Sequence, residues 1–206
     1  MVEQSDDDTA IELSVVMPCL NEADTLAICI RKAQAAFAEC GARGEVIVAD
    51  NGSDDGCPEI ARDLGARVVH VASKGYGHAL MGGIEAAQGH FILMGDADDS
   101  YDFTEIPRFL AALRDGAELV QGCRMPSGGG QILPGAMPPL HRWFGNPLLS
   151  RLARVMFDVP VQDAYCGLRG FTKDLYRRLD LRCTGMEFAT EMIIKSIHKV
   201  TKFLDE

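Results

Sequence analysis

Three carboxylates stand close together immediately after the apolar run Phe91 to Met94. Asp96, Asp98 and Asp99 occupy three of four successive positions, and carboxylates this close repel one another unless a cation shares them. Such oxygen ligands suit Mg²⁺ or Mn²⁺, which favour carboxylate, water and phosphate oxygens. The spacing therefore predicts a metal site formed by Asp96 and Asp98.

Two other interpretations of these aspartates are open at this point. The first is a solvated loop tip in which Asp102 or Thr104 caps the next helix. The second is a phosphatase of the dehalogenase type, which also has a D-x-D motif after an apolar strand and would use Asp96 as its nucleophile. That motif normally opens the domain, whereas here it comes near the middle of the chain.

Three earlier apolar runs are also followed by polar clusters. Asn21 and Glu22 follow the first, residues 50–54 follow the second, and Lys74-Gly75-Tyr76-Gly77 follows the third. Ligands of open α/β sheets bind at the carboxyl ends of the strands, so we expect these clusters to converge.

The Gly75-x-Gly77 pair could bring backbone amides and Lys74 to a diphosphate. A dinucleotide fingerprint is disfavoured because Leu80 replaces its third glycine. A glycine-rich turn before a helix is the alternative.

Short apolar runs alternate with amphipathic stretches, which predicts β-α-β units and an α/β fold. We expect a Rossmann-like, mainly parallel sheet flanked by helices, with a C-terminal elaboration on the acceptor side. Asp24 is the predicted cap of the first helix. The predicted strands are 13–18, 45–49, 68–71, 91–94 and 118–121, and the predicted helices are 24–39, 58–64, 75–88, 104–114, 172–179 and 187–200.

The chain divides into three parts. Residues 1–12 form an acidic tail that we expect to be disordered, 13–122 an α/β half, and 123–206 a second half of the same domain. The second half contains a Gly- and Pro-rich segment, 125–139, predicted to be a flexible loop. It continues into a basic amphipathic helix at about 147–157, which packs on the sheet or rests on a membrane surface.

Composition limits the class of protein. The 206 residues are 47% hydrophobic and 24% charged, as in a globular domain. A net charge of −10 argues against nucleic acid as a partner. The chain has no apolar run long enough to span a bilayer and no leader pattern. Seven cysteines without a C-x-x-C pair indicate reduced thiols and a cytoplasmic location.

Six motifs, taken in chain order, resemble the family 2 glycosyltransferases of GT-A fold. The likeness extends over about residues 13–200 and is nearest to the polyprenyl-phosphate sugar synthases, the dolichol-phosphate mannose or glucose synthase type. The motifs are VVMPCLNE (15–22), VIVADNGSDDG (46–56), KGYGHA (74–79), MGDAD (94–98), QGCR (121–124) and DAYCGLRGF (163–171).

This resemblance implies transfer of a hexose from a UDP- or GDP-linked sugar to a polyprenyl or dolichyl phosphate, with inversion and with Mg²⁺ or Mn²⁺. Lys74 would face the diphosphate, and Asp96 and Asp98 would bind the metal. Asn51 departs from the family, which usually has an aspartate there. The residues implied to hold the nucleotide sugar are Pro18, Asn21, Glu22, Asp50, Asn51, Asp54, Lys74, Asp96 and Ala97.

The acceptor side depends on arginines, because guanidinium groups match phosphate oxygens. Arg124, Arg142 and Arg169 are the candidates, with ordinary ion pairs as the alternative for each. If the acceptor were a hydroxyl, Asp163 or Glu187 would be the candidate base. The predicted catalytic set is Asp98, Arg124, Arg169, Asp163 and Glu187.

The predicted partners are a nucleotide sugar, a polyprenyl phosphate and the cytoplasmic face of a membrane, bound peripherally. A competing hypothesis is a catalytically silent module that binds a nucleotide sugar or is recruited to a membrane. The Asn51 departure motivates this second hypothesis.

Overall fold

The computed structural model describes residues 10–123, 163, 166–197 and 203–205. The predicted acidic tail up to residue 9, the loop 125–139, the helix 147–157, Arg124 and Arg142 lie outside these residues. The strands are β1 (Leu13–Cys19), β2 (Gly44–Asp50), β3 (Arg67–His70), β4 (Phe91–Met94), β5 (Leu119–Gln121), β6 (Arg169–Thr172) and β7 (Phe203–Asp205). The helices are α1 (Ala23–Cys40), α2 (Cys57–Asp63), α3 (Tyr76–Ala86), α4 (Ile106–Arg114), α5 (Lys173–Leu179) and α6 (Phe188–Ile197), and a short 3₁₀ helix, Phe103–Glu105, precedes α4.

One mixed sheet organises these elements, in the order β3-β2-β1-β4-β6-β5-β7. Strands β1 to β4 are mutually parallel wherever they pair. Strand β6 runs antiparallel between β4 and β5, and β7 pairs parallel with β5. The predicted α/β fold with a mainly parallel sheet is confirmed.

The register of the parallel strands brings their carboxyl ends to one edge. Cys19 at the end of β1 lies opposite Asp50 at the end of β2, and Asp50 lies opposite His70 at the end of β3. The chain after β4 joins the same edge, because the Gly95 amide donates to the Val16 carbonyl. The polar segments that follow these strands therefore begin side by side.

Both faces of the sheet are covered, as the apolar runs predicted. Side chains of β1 alternate between the two faces. Val15 and Met17 belong to one core cluster, which includes α1 and α4. Val16 belongs to the other, which includes α3, α5 and α6. Strands β1, β4 and β5 are consequently buried throughout, whereas the edge strand β3 is only partly buried.

Strand β6 was not predicted, because its sequence, Arg-Gly-Phe-Thr, contains a single large apolar residue. Its place in the middle of the sheet follows from tertiary packing. A side chain at Gly170 would press on Phe109 and Leu113 of α4, so glycine lets this strand lie close beneath that helix. The predicted strands and helices of residues 13–122 are confirmed, with boundaries that differ by a residue or two.

No helix among the described residues is long and apolar enough to cross a membrane. All seven cysteines have free thiols, as expected.

Candidate active site

The turn after β2 is organised by a buried carboxylate. Asp50 is only 3% exposed, and it accepts hydrogen bonds from the Ser53 amide at 2.9 Å and from His70 Nδ1, 3.0 Å away. Burial by itself would raise the pKa of Asp50, but the bonds from Ser53 and His70 outweigh it and hold that pKa below its ordinary value. Asp50 is therefore an ionised anchor at the sheet edge.

The chain after β1 is tied to this turn by Asn21. Asn21 adopts a left-handed backbone conformation with φ of 60°, which asparagine tolerates better than most residues. Its side-chain oxygen accepts from the Asp54 amide at 3.0 Å, and its own amide donates to Ser53 Oγ at 3.1 Å. Pro18 lies within β1 beside Ala49 of β2. The structure thus brings Pro18, Asn21, Asp50 and Asp54 together.

Asp55 caps two helices at once. One of its oxygens accepts from the Ala23 amide at 2.8 Å, at the start of α1, and the other accepts from the Cys57 amide at 3.1 Å, at the start of α2. The prediction that Asp24 caps α1 is wrong, because α1 already begins at Ala23 and Asp24 lies in its first turn. Sequence reasoning missed Asp55, whose partner is 32 residues away.

Asn51 connects the β2 turn to the chain after β3. Its side-chain amide donates to the carbonyls of Val71 and Ser73, at 2.9 and 2.8 Å, and its side-chain oxygen accepts from the Gly75 amide at 2.8 Å. The Lys74 amine donates to the Asn51 carbonyl at 2.5 Å. Lys74 is thus held at the β2 turn, as the strand-end pattern predicted.

The two glycines of this segment face protein backbone. A side chain at Gly75 would meet the Thr184 carbonyl, and one at Gly77 would meet the Cys183 carbonyl. The His78 amide donates to the Thr184 carbonyl at 3.2 Å, and the Gly75 amide is already bonded to Asn51. The glycines therefore admit residues 183–184 of the same chain, which favours the turn interpretation over a backbone cradle for a diphosphate.

Asp96 is oriented by Tyr76, which lies between the two glycines. Tyr76 Oη donates to Asp96 Oδ1 at 2.8 Å. Burial, followed by the nearby Asp96 charge, raises the pKa of Tyr76, so this hydroxyl keeps its proton at neutral pH. No sequence pattern indicated this role for Tyr76.

Helix α1 holds the rest of the D-x-D segment. The Ala97 carbonyl accepts from Thr25 Oγ1 at 2.8 Å, and Lys32 pairs with Asp99 at 2.9 Å. The Ala97 side chain itself is buried, with 1% exposed. Asp102 accepts from the Thr104 amide at 3.1 Å and caps the 3₁₀ helix. The capping expected for Asp102 is therefore present beside the aspartate cluster.

Asp98 projects to the surface near Glu22. Asp98 is exposed and accepts from the Ser100 amide at 3.0 Å. Burial, then the charges of Asp98 and Asp55, raise the pKa of Glu22, because neighbouring negative charges disfavour another one. A cation at this edge would relieve that repulsion.

The donor set fits a hard divalent cation. The described residues contain no group of three side chains placed to enclose a metal, whereas Asp96 and Asp98 supply carboxylate oxygens at the strand end. Mg²⁺ and related ions are usually bound by one or two carboxylates, with water and substrate phosphates completing the shell. Asp96 and Asp98 would hold such an ion, and it would supply positive charge against a diphosphate.

Arg169 is fully buried in β6, with none of its surface exposed. Its Nε donates to the Cys166 carbonyl at 3.1 Å, and its guanidinium also donates to the Ala189 carbonyl at the start of α6. Burial lowers the pKa of Arg169, and nearby groups including Tyr76 and Asp163 oppose that shift. This environment favours a role in joining β6 to α6 over direct contact with an acceptor phosphate.

Asp163 is also fully buried, and its carbonyl accepts from the Gln121 side chain at 3.4 Å. Glu187 differs from it, because Glu187 is exposed beside Gly185. The two candidate bases thus lie in opposite environments.

Glu191 lies in α6, one turn after Glu187, and bonds to the loop after α5. It accepts from the Arg182 and Cys183 amides, each at 2.8 Å, and pairs with Lys195 at 2.7 Å. Burial would raise the pKa of Glu191, but Lys195 and the two amides lower it to about 2. Glu191 therefore holds the residues that contact Gly75 and Gly77.

The sequence is similar to a known family and to two proteins of Haloferax volcanii. Residues 14–180 match the model of glycosyl transferase family 2. The chain is 46% identical over 193 residues to the low-salt glycan biosynthesis hexosyltransferase of Haloferax volcanii, covering 93% of this chain and 46% of that protein. It is 34% identical over 154 residues to the dolichyl-phosphate hexose transferase of the same organism, covering 74% of this chain and 64% of that protein.

The fold was compared with solved structures. Glucosyl-3-phosphoglycerate synthase from Mycobacterium tuberculosis, in complex with Mn²⁺, UDP and glucosyl-3-phosphoglycerate, superposes with a TM-score of 0.71 at 22% identity. The match covers 95% of this chain and 69% of that one. It confirms the expected GT-A fold. The chain spans about half the length of the first Haloferax relative.

Proposed function

Because the chain belongs to glycosyl transferase family 2, we propose that it moves a hexose from a UDP- or GDP-linked sugar to a polyprenyl or dolichyl phosphate, with Mg²⁺ or Mn²⁺. The proposal follows the name of one relative, a dolichyl-phosphate hexose transferase. The Mn²⁺ and UDP present in the complex of the structural neighbour make a divalent cation and a nucleoside diphosphate the first ligands to test. Family membership also argues against the phosphatase interpretation of Asp96.

The observation that carries this proposal is the convergence of four strand-end segments on one sheet edge. Asn51 bonds the segment of Lys74, and Tyr76 of that segment bonds Asp96. Asn21 bonds the β2 turn. An anchored turn, a lysine and a pair of aspartates therefore form one contiguous surface, which suits a nucleoside, a diphosphate and a cation respectively.

The residues have separable roles in the proposed reaction. Asp54 holds the nucleoside, on the turn that the buried Asp50 anchors, and Lys74 places positive charge near the diphosphate. Breaking the bond between sugar and diphosphate leaves negative charge on the leaving group, which a lysine stabilises. A bound divalent cation would add charge stabilisation of the same kind.

The acceptor needs little activation in this scheme. A polyprenyl phosphate is already anionic, so it can attack the anomeric carbon directly and invert the configuration there. No strong general base is then required, and Asp163 and Glu187 become bases only for a hydroxyl acceptor. Arg124 and Arg142 remain the proposed phosphate ligands, whereas the burial of Arg169 favours a supporting role. A lipid acceptor would place the reaction at a membrane surface.

The test is a transfer assay with dolichyl phosphate in detergent. UDP-glucose and GDP-mannose are each supplied with and without Mn²⁺ to the wild type, to Asp98→Ala and to Asp63→Ala. Asp63 ends α2 and is exposed, so Asp63→Ala controls for loss of one surface carboxylate.

We expect one donor to give labelled lipid only with Mn²⁺, and Asp98→Ala to lose at least about 99% of that rate, in line with the two or more orders of magnitude that a group stabilising transition-state charge contributes. Asp63→Ala should retain the wild-type rate. Binding of a donor without any release of nucleoside diphosphate would support the silent module instead. Equal rates in Asp98→Ala and wild type would contradict the assigned metal site.

A further inference from the structure

We infer that Asn51 positions the lysine of the donor site and does not itself contact the nucleoside. This inference rests on the proposed function, because it assigns Lys74 to the diphosphate. The segment involved, residues 71–75, is called the lysine loop below.

Both donors and the acceptor oxygen of the Asn51 side chain bond to the lysine loop. A primary amide has two N–H donors and one acceptor oxygen. In Asn51 the donors go to the carbonyls of Val71 and Ser73, and the oxygen accepts from the Gly75 amide. The residue is 5% exposed. An amide in this state has no donor left with which to recognise a base or a ribose.

Asparagine suits this position, whereas an aspartate would not. The groups facing the Asn51 amide nitrogen are two carbonyl oxygens, both acceptors. A carboxylate there would place a third oxygen, which carries no hydrogen, against these two acceptors. Buried acceptors left without donors destabilise the arrangement. The amide of Asn51 therefore matches the conformation that residues 71–75 adopt here.

These hydrogen bonds determine the position of Lys74. The loop residues on either side of the lysine, Ser73 and Gly75, are both bonded to the Asn51 side chain. The lysine amine then reaches back to the Asn51 carbonyl. It lies so close to Gly52 that a side chain there would collide with it. Asn51 thus sets both the backbone that carries Lys74 and the place where its charge rests.

The experiment compares ligands with and without a diphosphate. Affinities for UDP and uridine, and for GDP and guanosine, are measured by ligand-observed NMR on four proteins: the wild type, Asn51→Asp, Lys74→Met and Gln34→Glu. Gln34 is the matched control, since its side-chain amide also donates to a backbone carbonyl, that of Leu64, on the surface away from this edge.

We expect Asn51→Asp and Lys74→Met each to weaken binding of the preferred nucleoside diphosphate by at least about tenfold, the order expected for losing one charge-assisted bond. Binding of the matching nucleoside should change by less than about twofold. Because both substitutions remove the same contact, the double variant should lose little more than either one alone. Gln34→Glu should bind both ligands as the wild type does.

An equal loss of nucleoside and nucleoside diphosphate in Asn51→Asp would overturn the inference, because it would show that Asn51 contacts the nucleoside. Additive losses in the double variant would overturn it as well. If Asn51→Asp fails to fold, Asn51→Ser, which keeps one hydroxyl donor, must give the same selective loss. A wild type that binds neither UDP nor GDP would instead refute the proposed donor site, and the inference with it.

Discussion

Buried polar side chains serve different purposes in the two halves of the sheet. Within residues 13–122, Asp50 and Asn51 lie at a strand end and bond to turns. Among the described residues from 163 onward, Arg169 lies within a central strand and bonds to backbone carbonyls of its surroundings. The two buried polar groups of the first part thus orient exposed residues, whereas Arg169 supports the scaffold.

This difference shows why charge alone is a poor guide to a site. A buried guanidinium is costly unless hydrogen bonds satisfy it, and Arg169 has such bonds. Asp98 and Lys74, by comparison, are exposed charges whose neighbours are fixed by hydrogen bonds. Accessible charge beside a rigid turn is therefore the feature on which the proposed donor site rests.

The largest expected effect tests the scaffold role of Arg169. Arg169→Met removes the donors to the Cys166 and Ala189 carbonyls, so we expect the free energy of unfolding to fall by about 3–5 kcal/mol. Urea unfolding followed by circular dichroism measures it. Arg62→Met is the control, because Arg62 is an exposed partner of Glu59 and should change stability by less than about 0.5 kcal/mol. If Arg169→Met lost transfer activity but kept its stability, Arg169 would instead be a ligand of the acceptor phosphate.

The next prediction concerns Tyr76, which links the lysine segment to Asp96. Tyr76→Phe removes the hydroxyl that orients Asp96, and second-shell losses of this kind typically weaken metal binding by about 10–100-fold. Electron paramagnetic resonance titration with Mn²⁺ in the presence of UDP or GDP measures this affinity. Tyr176→Phe provides the comparison, since Tyr176 stacks on Phe171 outside the site and should leave Mn²⁺ binding unchanged. Equal affinity in both variants would show that Asp96 needs no such support.

A smaller effect distinguishes Asp54 from Asp55, two adjacent residues of the turn after β2. Asp55→Ala removes the cap shared by α1 and α2, so we expect Tm to fall by roughly 2–4 °C. Asp54→Ala should leave Tm unchanged but weaken binding of the nucleoside diphosphate, because Asp54 is an exposed residue proposed to hold the nucleoside. Differential scanning fluorimetry and calorimetric titration give the two readouts. If both variants lost stability alike, Asp54 would also be structural.

The smallest expected effect concerns the contacts of Glu191 with the loop after α5 and with Lys195, which we expect to weaken in acid. The pKa of Glu191 is lowered to about 2 in the folded protein, so its stabilisation is fully present above the unfolded value near 4.5. It is lost as pH falls from there toward 2. Because glutamine keeps an acceptor oxygen for the two amides and Lys195 is partly exposed, Glu191→Gln should cost only about 1 kcal/mol at pH 7, less than the whole pKa shift would give. It should also flatten the stability profile between pH 4.5 and 2. Chemical unfolding at several pH values measures this, with Glu59→Gln as the exposed control. If the free energy of unfolding of Glu191→Gln fell with pH as steeply as that of the wild type, other groups would control stability in acid.

The sequence alone was sufficient for the parallel core and for the edge of the sheet at which the polar strand-end segments meet. Alternating apolar runs and helical patterns predicted β1 to β4 and the helices between them. Because parallel strands end at one edge, the polar segments after them had to meet there. These inferences depend on local periodicity and backbone geometry, which neighbouring residues determine.

Tertiary structure decided how the individual polar side chains are used. The sequence did not reveal that β6 enters the sheet antiparallel, that Asp55 caps a helix 32 residues away, or that Arg169 is buried. Nor did it reveal that Gly75 and Gly77 face residues 183–184. The physical reason is that desolvation and hydrogen-bond satisfaction of a polar group depend on what packs around it, and those partners come from distant parts of the chain.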